Sequence, residues 1–250
     1  MMFDLVKDCF NKGAKSYDSN SDVQKKISLQ LIQMLTELIN DNKIEKGFYG
    51  LDLGCGTGEF SFEILNNFNL EKLDMIDLSD KMINIAKTKI RNKNIKFYNY
   101  DFDTFNEFKK YNLIVSNMSI HWSKNFNRLV RKILKDISSE SIFLVSFLNS
   151  SSFNFFKNIN FLNNKIINPF PEKNSLDFLL NRETFYFKKK EIILKKKYNN
   201  PISFFSELKK IGANAKFYKK NNNLFKLRNM RKSISVNFNA SCYVIKRIRS

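Results

Sequence analysis

The stretch Leu51-Asp52-Leu53-Gly54-Cys55-Gly56-Thr57-Gly58-Glu59 has the residue types and spacing of a ligand-binding loop. Apolar residues before it read as a short strand, Tyr49 to Leu53, and a helical pattern begins after Gly58. Glycines in that setting let the backbone turn sharply and let a ligand approach with no Cβ in the way. The helix start beyond them offers unpaired N–H groups. The spacing is G-x-G-x-G, not the G-x-G-x-x-G of dinucleotide sites. Asp52 would repel a pyrophosphate, whereas beside an ammonium or a sulfonium it is favourable at close range.

Two further acids stand at strand ends. Asp77 follows a second strand, Leu73 to Ile76, a little beyond the roughly 20 residues at which dinucleotide sites place their ribose acid. Its carboxylate can accept from both hydroxyls of a ribose. Asp101-Phe102 follows a third strand, Ile95 to Tyr98. That acid can accept from an adenine amino group, and the Phe102 ring either lines the base or packs in the core.

These stations need a scaffold. From Tyr49 onward, short apolar runs alternate with helical patterns, which predicts βαβ units and a parallel sheet. Leu113 to Ser116 and Ile142 to Phe147 are the fourth and fifth strands, with a helix over Phe126 to Ile137 between them. Ser79 is placed to cap the helix after the second strand. Ahead of all this, Leu5 to about Asn40 reads largely as helix, with Ile27, Leu31, Met34, Leu35 and Leu38 on one stripe. After Phe147 the alternation breaks. Helical stretches are expected near Phe153–Leu162 and Ser175–Leu180, and strands at Ile192–Tyr198 and Ser241–Ile248. Asn200-Pro201 opens a helix that stops at Gly212.

The expected organisation is one domain of 250 residues: a helical cap (1–45), a ligand-binding core (46–148), a helical insert (149–190) and C-terminal strands and helix (191–250). The chain carries a formal net charge of +19. Either it meets an acidic partner or the charge is compositional drift in a chain rich in Lys, Asn, Ile and Phe. The runs Lys188–Lys190 and Lys195–Lys197 read as solvated faces of a strand pair. No apolar run approaches the roughly 20 residues needed to span a bilayer, and Asp4 and Asp8 interrupt any export signal. Three scattered cysteines suggest neither disulfides nor zinc and fit a reducing cytoplasm. No metal site is expected.

The glycine loop, Asp77 and Asp101-Phe102 resemble motif I, the acidic loop and the adenine loop of class I S-adenosylmethionine-dependent methyltransferases. The resemblance covers about Tyr49 to Phe147. It implies a Rossmann-like α/β fold with a seven-stranded sheet whose last strand is antiparallel, and S-adenosylmethionine as methyl donor. Asn117, just after strand four, would then meet the methionine part of the donor, or simply serve as a turn residue.

Other segments narrow the family. Phe10-Asn11-Lys12-Gly13-Ala14-Lys15-Ser16-Tyr17-Asp18, with Gln24 beyond, is similar to the opening of the malonyl-[acyl-carrier protein] O-methyltransferases of biotin synthesis. Ser116-Asn117-Met118-Ser119-Ile120-His121-Trp122 resembles their S-N…Q-W segment, with His121 in place of the usual Gln. Leu208-Lys209-Lys210-Ile211-Gly212-Ala213-Asn214 resembles their L-K-x-I-G-A element. The resemblance implies that the acceptor is the free carboxylate of a malonyl thioester on an acidic acyl-carrier protein. Such a carboxylate is already ionised at neutral pH, so no general base is required. Substrate-positioning candidates are Tyr17, His121, Trp122 and Arg182; Tyr17 can equally pack the N-terminal helix onto the domain. A small-acid methyltransferase acting on molecules like trans-aconitate, and an RNA-modifying methyltransferase, stay open as alternatives. Against RNA, no N-P-P-Y-type motif, zinc knuckle or basic-aromatic array is present.

Overall fold

The computed structural model describes residues 2–42, 47–139, 141–159, 169–180, 183–214 and 227–248. Two helices lead, α1 (Met2–Gly13) and α2 (Asp22–Asn42). They are followed by β1 (Phe48–Leu53), α3 (Glu59–Asn67), β2 (Leu70–Asp77), α4 (Asp80–Lys89), β3 (Ile95–Asn99), β4 (Leu113–Asn117), α5 (Phe126–Asp136) and β5 (Ile142–Leu148). The rest comprises α6 (Asn154–Lys157), β6 (Phe185–Tyr198), α7 (Pro201–Lys210) and β7 (Ile234–Arg247).

The seven strands form one sheet in the order β3-β2-β1-β4-β5-β7-β6. Strands β1 to β5 pair in parallel, while β7 runs antiparallel to both β5 and β6. The expected seven-stranded α/β sheet with its antiparallel last strand is therefore the observed one. β5 is buried along its whole length, as a central parallel strand covered on both faces must be. Leu113, Val115, Ile142 and Leu144 join α2 and α7 in one core cluster. Their neighbours Ile114, Phe143, Val145 and Phe147 face α5 in another. The chain order changes direction between β1 and β4, so the carboxyl ends of these two strands flank the crevice where ligands bind in such sheets.

The N-terminal stretch, expected to be largely helical, is two helices. Between α1 and α2 lies a 3-10 turn, Ala14–Ser16, and a polar bend. There Asn20 Nδ2 donates to the Ser16 carbonyl, and the Ser16 hydroxyl to the Lys210 carbonyl. Short polar side chains compete with the helix for these backbone groups. The expected caps hold: Ser79 Oγ accepts from Met82 N at the start of α4, and Asn200 Oδ1 accepts from Ser203 N with Pro201 at the first turn of α7.

Elsewhere the elements differ from expectation. Ser175–Leu180 forms only a 3-10 turn over Asp177–Leu179, and the helix expected from Phe153 is a single turn over Asn154–Lys157, with 160–168 outside the described residues. β6 begins at Phe185 rather than Ile192, and β7 at Ile234 rather than Ser241. Lys188–Lys190 are thus strand residues, and not all are simply solvated. Lys189 Nζ pairs with Asp177 (2.8 Å) and Glu191 (3.2 Å) and lies 5.3 Å from the centre of the Tyr243 ring. Among the described residues no helix is long and apolar enough to cross a membrane, and no cluster of potential metal ligands occurs.

Candidate active site

Two adjoining cavities open at the carboxyl ends of β1, β2 and β4. The first, with about 600 Å³ of empty space, is lined by Gly54, Gly56, Asp77, Asp101, Phe102 and Asn117, with Val6, Leu78, Met82 and Ser119. The second, with about 620 Å³, is lined by Gln24, His121, Leu148, Phe153, Phe170, Phe238 and the α7 residues and turn Leu208, Ile211 and Ala213. Phe10, Tyr17, Met118 and Trp122 line both. A group bound in one cavity is therefore separated from the other only by these shared side chains.

The glycine loop is held open by the acid at the tip of β2. Asp77 Oδ2 accepts from Gly56 N at 2.9 Å, and Oδ1 from Ser79 N at 2.8 Å. Each oxygen keeps a lone pair for a ligand hydroxyl. Burial raises the Asp77 carboxyl to about 6, against the two backbone hydrogen bonds that favour its charged form. Gly56 has φ 55°, and a Cβ built on it meets nothing within 4 Å, so its free side faces open space. On Gly54, at φ 72°, a Cβ would collide with the Ser119 hydroxyl of the β4 loop. Gly58 does not line the cavity. It starts α3 in the left-handed region and packs toward Ala86 and Ile90.

Asp52 lies beneath the loop, 1% exposed. Its Oδ2 accepts from Ser61 Oγ of α3 at 2.5 Å, while Oδ1 is buried with no hydrogen-bond partner among the described residues. Burial pushes this carboxyl up to about 7, offset in part by the Ser61 bond. Asp52 lines neither cavity, so it acts on a ligand in the first cavity only through its charge, from behind the loop.

On the far side, Asp101 Oδ1 accepts from Asp103 N, and Oδ2 pairs with Lys124 at 3.1 Å. Phe102 belongs to the core cluster on the α5 face and also forms part of the cavity wall. Asn117 also reaches the cavity, but its amide is already used: Nδ2 donates to the Gln24 carbonyl and Oδ1 accepts from Ser146 Oγ. Its side chain therefore positions the β4 tip against α2. Tyr17 faces both cavities, its hydroxyl held protonated by burial and by Asp77 and Asp18. Trp122 stands between the cavities, edge-on to Phe10 at 5.3 Å. Arg182 lies outside the described residues.

Several lining residues carried no sequence signal of their own. Met118 and Phe153 adopt positive φ (54° and 60°) without being glycine. Strain of that kind persists only where the surroundings over-determine the backbone. At Met118 the amide donates to both the Ser146 carbonyl and Ser146 Oγ. Phe10 and Gln24 lay within segments the sequence singled out, but their place on the cavity walls, like that of Phe170, follows only from the fold.

Residues 51–138 match a family model described as a methyltransferase domain. Over 222 residues the chain is 30% identical to malonyl-[acyl-carrier protein] O-methyltransferase 1 of Ilyobacter polytropus, covering 87% of this chain and 80% of that protein. The chain belongs to the malonyl-[acyl-carrier protein] O-methyltransferase family. A relative of the same name in Bacillus anthracis is 31% identical over 149 residues, 60% of this chain and 54% of its own length, so this match spans about half of that protein. Among solved structures, the plantazolicin methyltransferase BpumL, in complex with SAH, superposes with a TM-score of 0.58 over 98% of this chain and 95% of its own, at 21% identity. S-adenosylmethionine is the methyl donor of this O-methyltransferase family. The open face of Gly56 and the Asp77 carboxylate in the cavity wall both fit such a ligand, with its sugar and its amino-acid end.

Proposed function

We propose that this chain transfers a methyl group from S-adenosylmethionine to the free carboxylate of malonyl-[acyl-carrier protein], forming the malonyl methyl ester that enters biotin synthesis. The observation that carries this reading is the pair of adjoining cavities sharing Phe10, Tyr17, Met118 and Trp122: one has acids and glycines, the other mostly aromatic and aliphatic walls. The donor's adenosine fits the first, with Asp77 on the ribose, Asp101 and Phe102 at the base, and Gly54 and Gly56 around the amino-acid end, Asp52 adding its charge from behind the loop. The acceptor fits the second.

When bound, the donor supplies an electrophilic methyl on a sulfonium. The chain's own groups have the simpler tasks of alignment and water exclusion. An acceptor carboxylate oxygen forms the new bond to the methyl carbon as the carbon–sulfur bond breaks and its electron pair goes to sulfur. The ionised carboxylate needs no base. Tyr17 and Trp122, at the junction, are placed to fix the angle of approach. An acidic carrier protein in the cytoplasm is the partner this reading expects, with nucleic acid and membrane outside it.

The test is mass spectrometry of malonyl-carrier protein after incubation with enzyme and donor. A gain of one methyl is the expected result. Donor binding with methylation of free trans-aconitate, and none of the carrier, would replace the acceptor; methylation of RNA would replace the class.

A further inference from the structure

His121 is the one histidine of the chain. It sits in the 3-10 turn Ile120–Trp122 that follows β4, and it lines the second cavity. Its ring is wedged between Trp122, at 5.7 Å between centres, and the edge of Phe170, at 5.4 Å. Nδ1 is shut off from solvent and has no hydrogen-bond partner among the described residues. Burial holds the imidazole far below its usual titration range, at about 3, so the ring is neutral at physiological pH. A buried ring N–H without a partner is costly, so the proton belongs on Nε2, the other nitrogen of a ring that lines the cavity, and Nε2–H is the donor a ligand there can meet.

The wall around the ring bears on the kind of ligand. Among the described lining residues, none carries a charge at neutral pH, and the polar side chains besides His121 are Tyr17, Gln24 and Trp122. In methyl transfer from a sulfonium to a carboxylate, the acceptor loses its negative charge on the way to the transition state. A cationic partner would hold the ground state more tightly than the transition state and slow the step. A neutral donor orients the carboxylate with less of that penalty. Resting on the carboxylate-acceptor reading above, we propose that His121, as a neutral imidazole, donates a hydrogen bond to the acceptor carboxylate and so aims its other oxygen at the methyl group.

The single histidine makes the test clean. Protein labelled with 15N only at histidine gives one pair of ring nitrogens. Malonyl-carrier protein added to the S-adenosylhomocysteine-bound enzyme is expected to shift one of them to a hydrogen-bonded N–H. The ring should remain neutral between about pH 5 and 8. In kinetics, His121→Leu is expected to raise the KM for malonyl-carrier protein about ten- to a hundred-fold, the range for a lost hydrogen bond to a charged group. Its affinity for S-adenosylhomocysteine should stay within about twofold of the parent, which rules out a collapsed site. His121→Gln keeps an amide donor and is expected to recover most of the loss.

A wild-type enzyme that methylates the carrier, with ring signals unmoved or a Leu variant of unchanged KM, overturns the role of His121 alone. A ring that becomes an imidazolium on binding overturns it too, as does a parallel fall in acceptor and S-adenosylhomocysteine affinity. A wild-type enzyme that binds donor but never methylates the carrier overturns the acceptor reading, and this inference with it.

Discussion

Asp77 and Asp52 pose a question that only single residues can answer, because both carboxyls sit where burial favours the protonated form, at about 6 and about 7. An acid whose folded pKa is raised binds more protons in the folded state. The stability it contributes is fully present below the unfolded value near 4 and is lost as pH rises through the folded value. The free enzyme should therefore lose stability between about pH 4 and 7, and chemical denaturation across that window checks it. A donor with an ammonium and a sulfonium reverses the balance, since it favours the ionised carboxylates. Donor binding near pH 6.5 should then release protons, and calorimetry in buffers of different ionisation heat measures how many. A binding heat independent of buffer would mean that neither acid changes state. Asp77→Asn gives the geometric counterpart. The amide can accept from Gly56 N or Ser79 N but turns an N–H toward the other, so the glycine loop loses an anchor. S-adenosylhomocysteine affinity should fall about ten- to a hundred-fold while the melting temperature moves by only a few degrees.

At the scale of elements, two segments far apart in the sequence prove to be halves of one joint. A Cβ on Gly13, at the end of α1, would strike the backbone of Gly212 after α7. Gly212 itself has φ 75°, and a Cβ there would stand 2.6 Å from Phe10 Cα. Backbone meets backbone, and the contact holds Phe10 and Ile211 in the wall of the second cavity. Gly212→Ala should therefore cost ~2 kcal/mol and lower the melting temperature by about 5 °C, with the acceptor KM rising more than the donor Kd. Thermal melts and the two binding measurements decide it. The motifs containing Gly13 and Gly212 were legible as sequence patterns, but their mutual contact was not, because nothing in a linear chain reports which turn approaches which. The central sheet was readable for the opposite reason: β4 and β5 are apolar runs of the right length, and burial on both faces leaves such runs few alternatives. β6 was half hidden because lysines occupy strand positions on a sheet edge, where long stems lie along the surface and the heads reach acids such as Asp177 and Glu207. The acids that line the first cavity, Asp77 and Asp101, could be named from strand ends alone. The second cavity could not be drawn, since its walls come from α1, α2, the turn after β4, the end of β5 and the chain after it, α7 and β7, and two of its residues take backbone angles that no side-chain type announces.

For the whole molecule, the formal charge of +19 is the excess of 43 Lys and Arg over 24 Asp and Glu. Ion pairs within the fold cancel one cation against one acid and leave that excess unchanged. Lys89 bridges Asp18 and Glu59 and ties the N-terminal turn to the glycine-loop helix, while Lys196 pairs with Glu207 and Lys188 with Asp41. Such exposed or half-exposed pairs add little stability. The full +19 is therefore the surplus, and a charge of that sign raises the encounter rate with an acidic macromolecule and is screened by salt over about 10 Å at 0.1 M. If the surplus serves an acidic carrier protein, salt should act on encounter and not on chemistry. Raising NaCl from about 50 to 300 mM should lower kcat/KM for malonyl-carrier protein about ten-fold while leaving kcat nearly unchanged. A malonyl thioester of pantetheine, which has the same reacting carboxylate but no acidic protein, should lose far less. The comparison separates the two origins of the charge, because a surplus left by compositional drift has no reason to distinguish them beyond the acceptor's own anion. Equal salt dependence for the two acceptors would leave the surface charge without a part in substrate capture, and the specificity would then rest entirely on the walls of the second cavity.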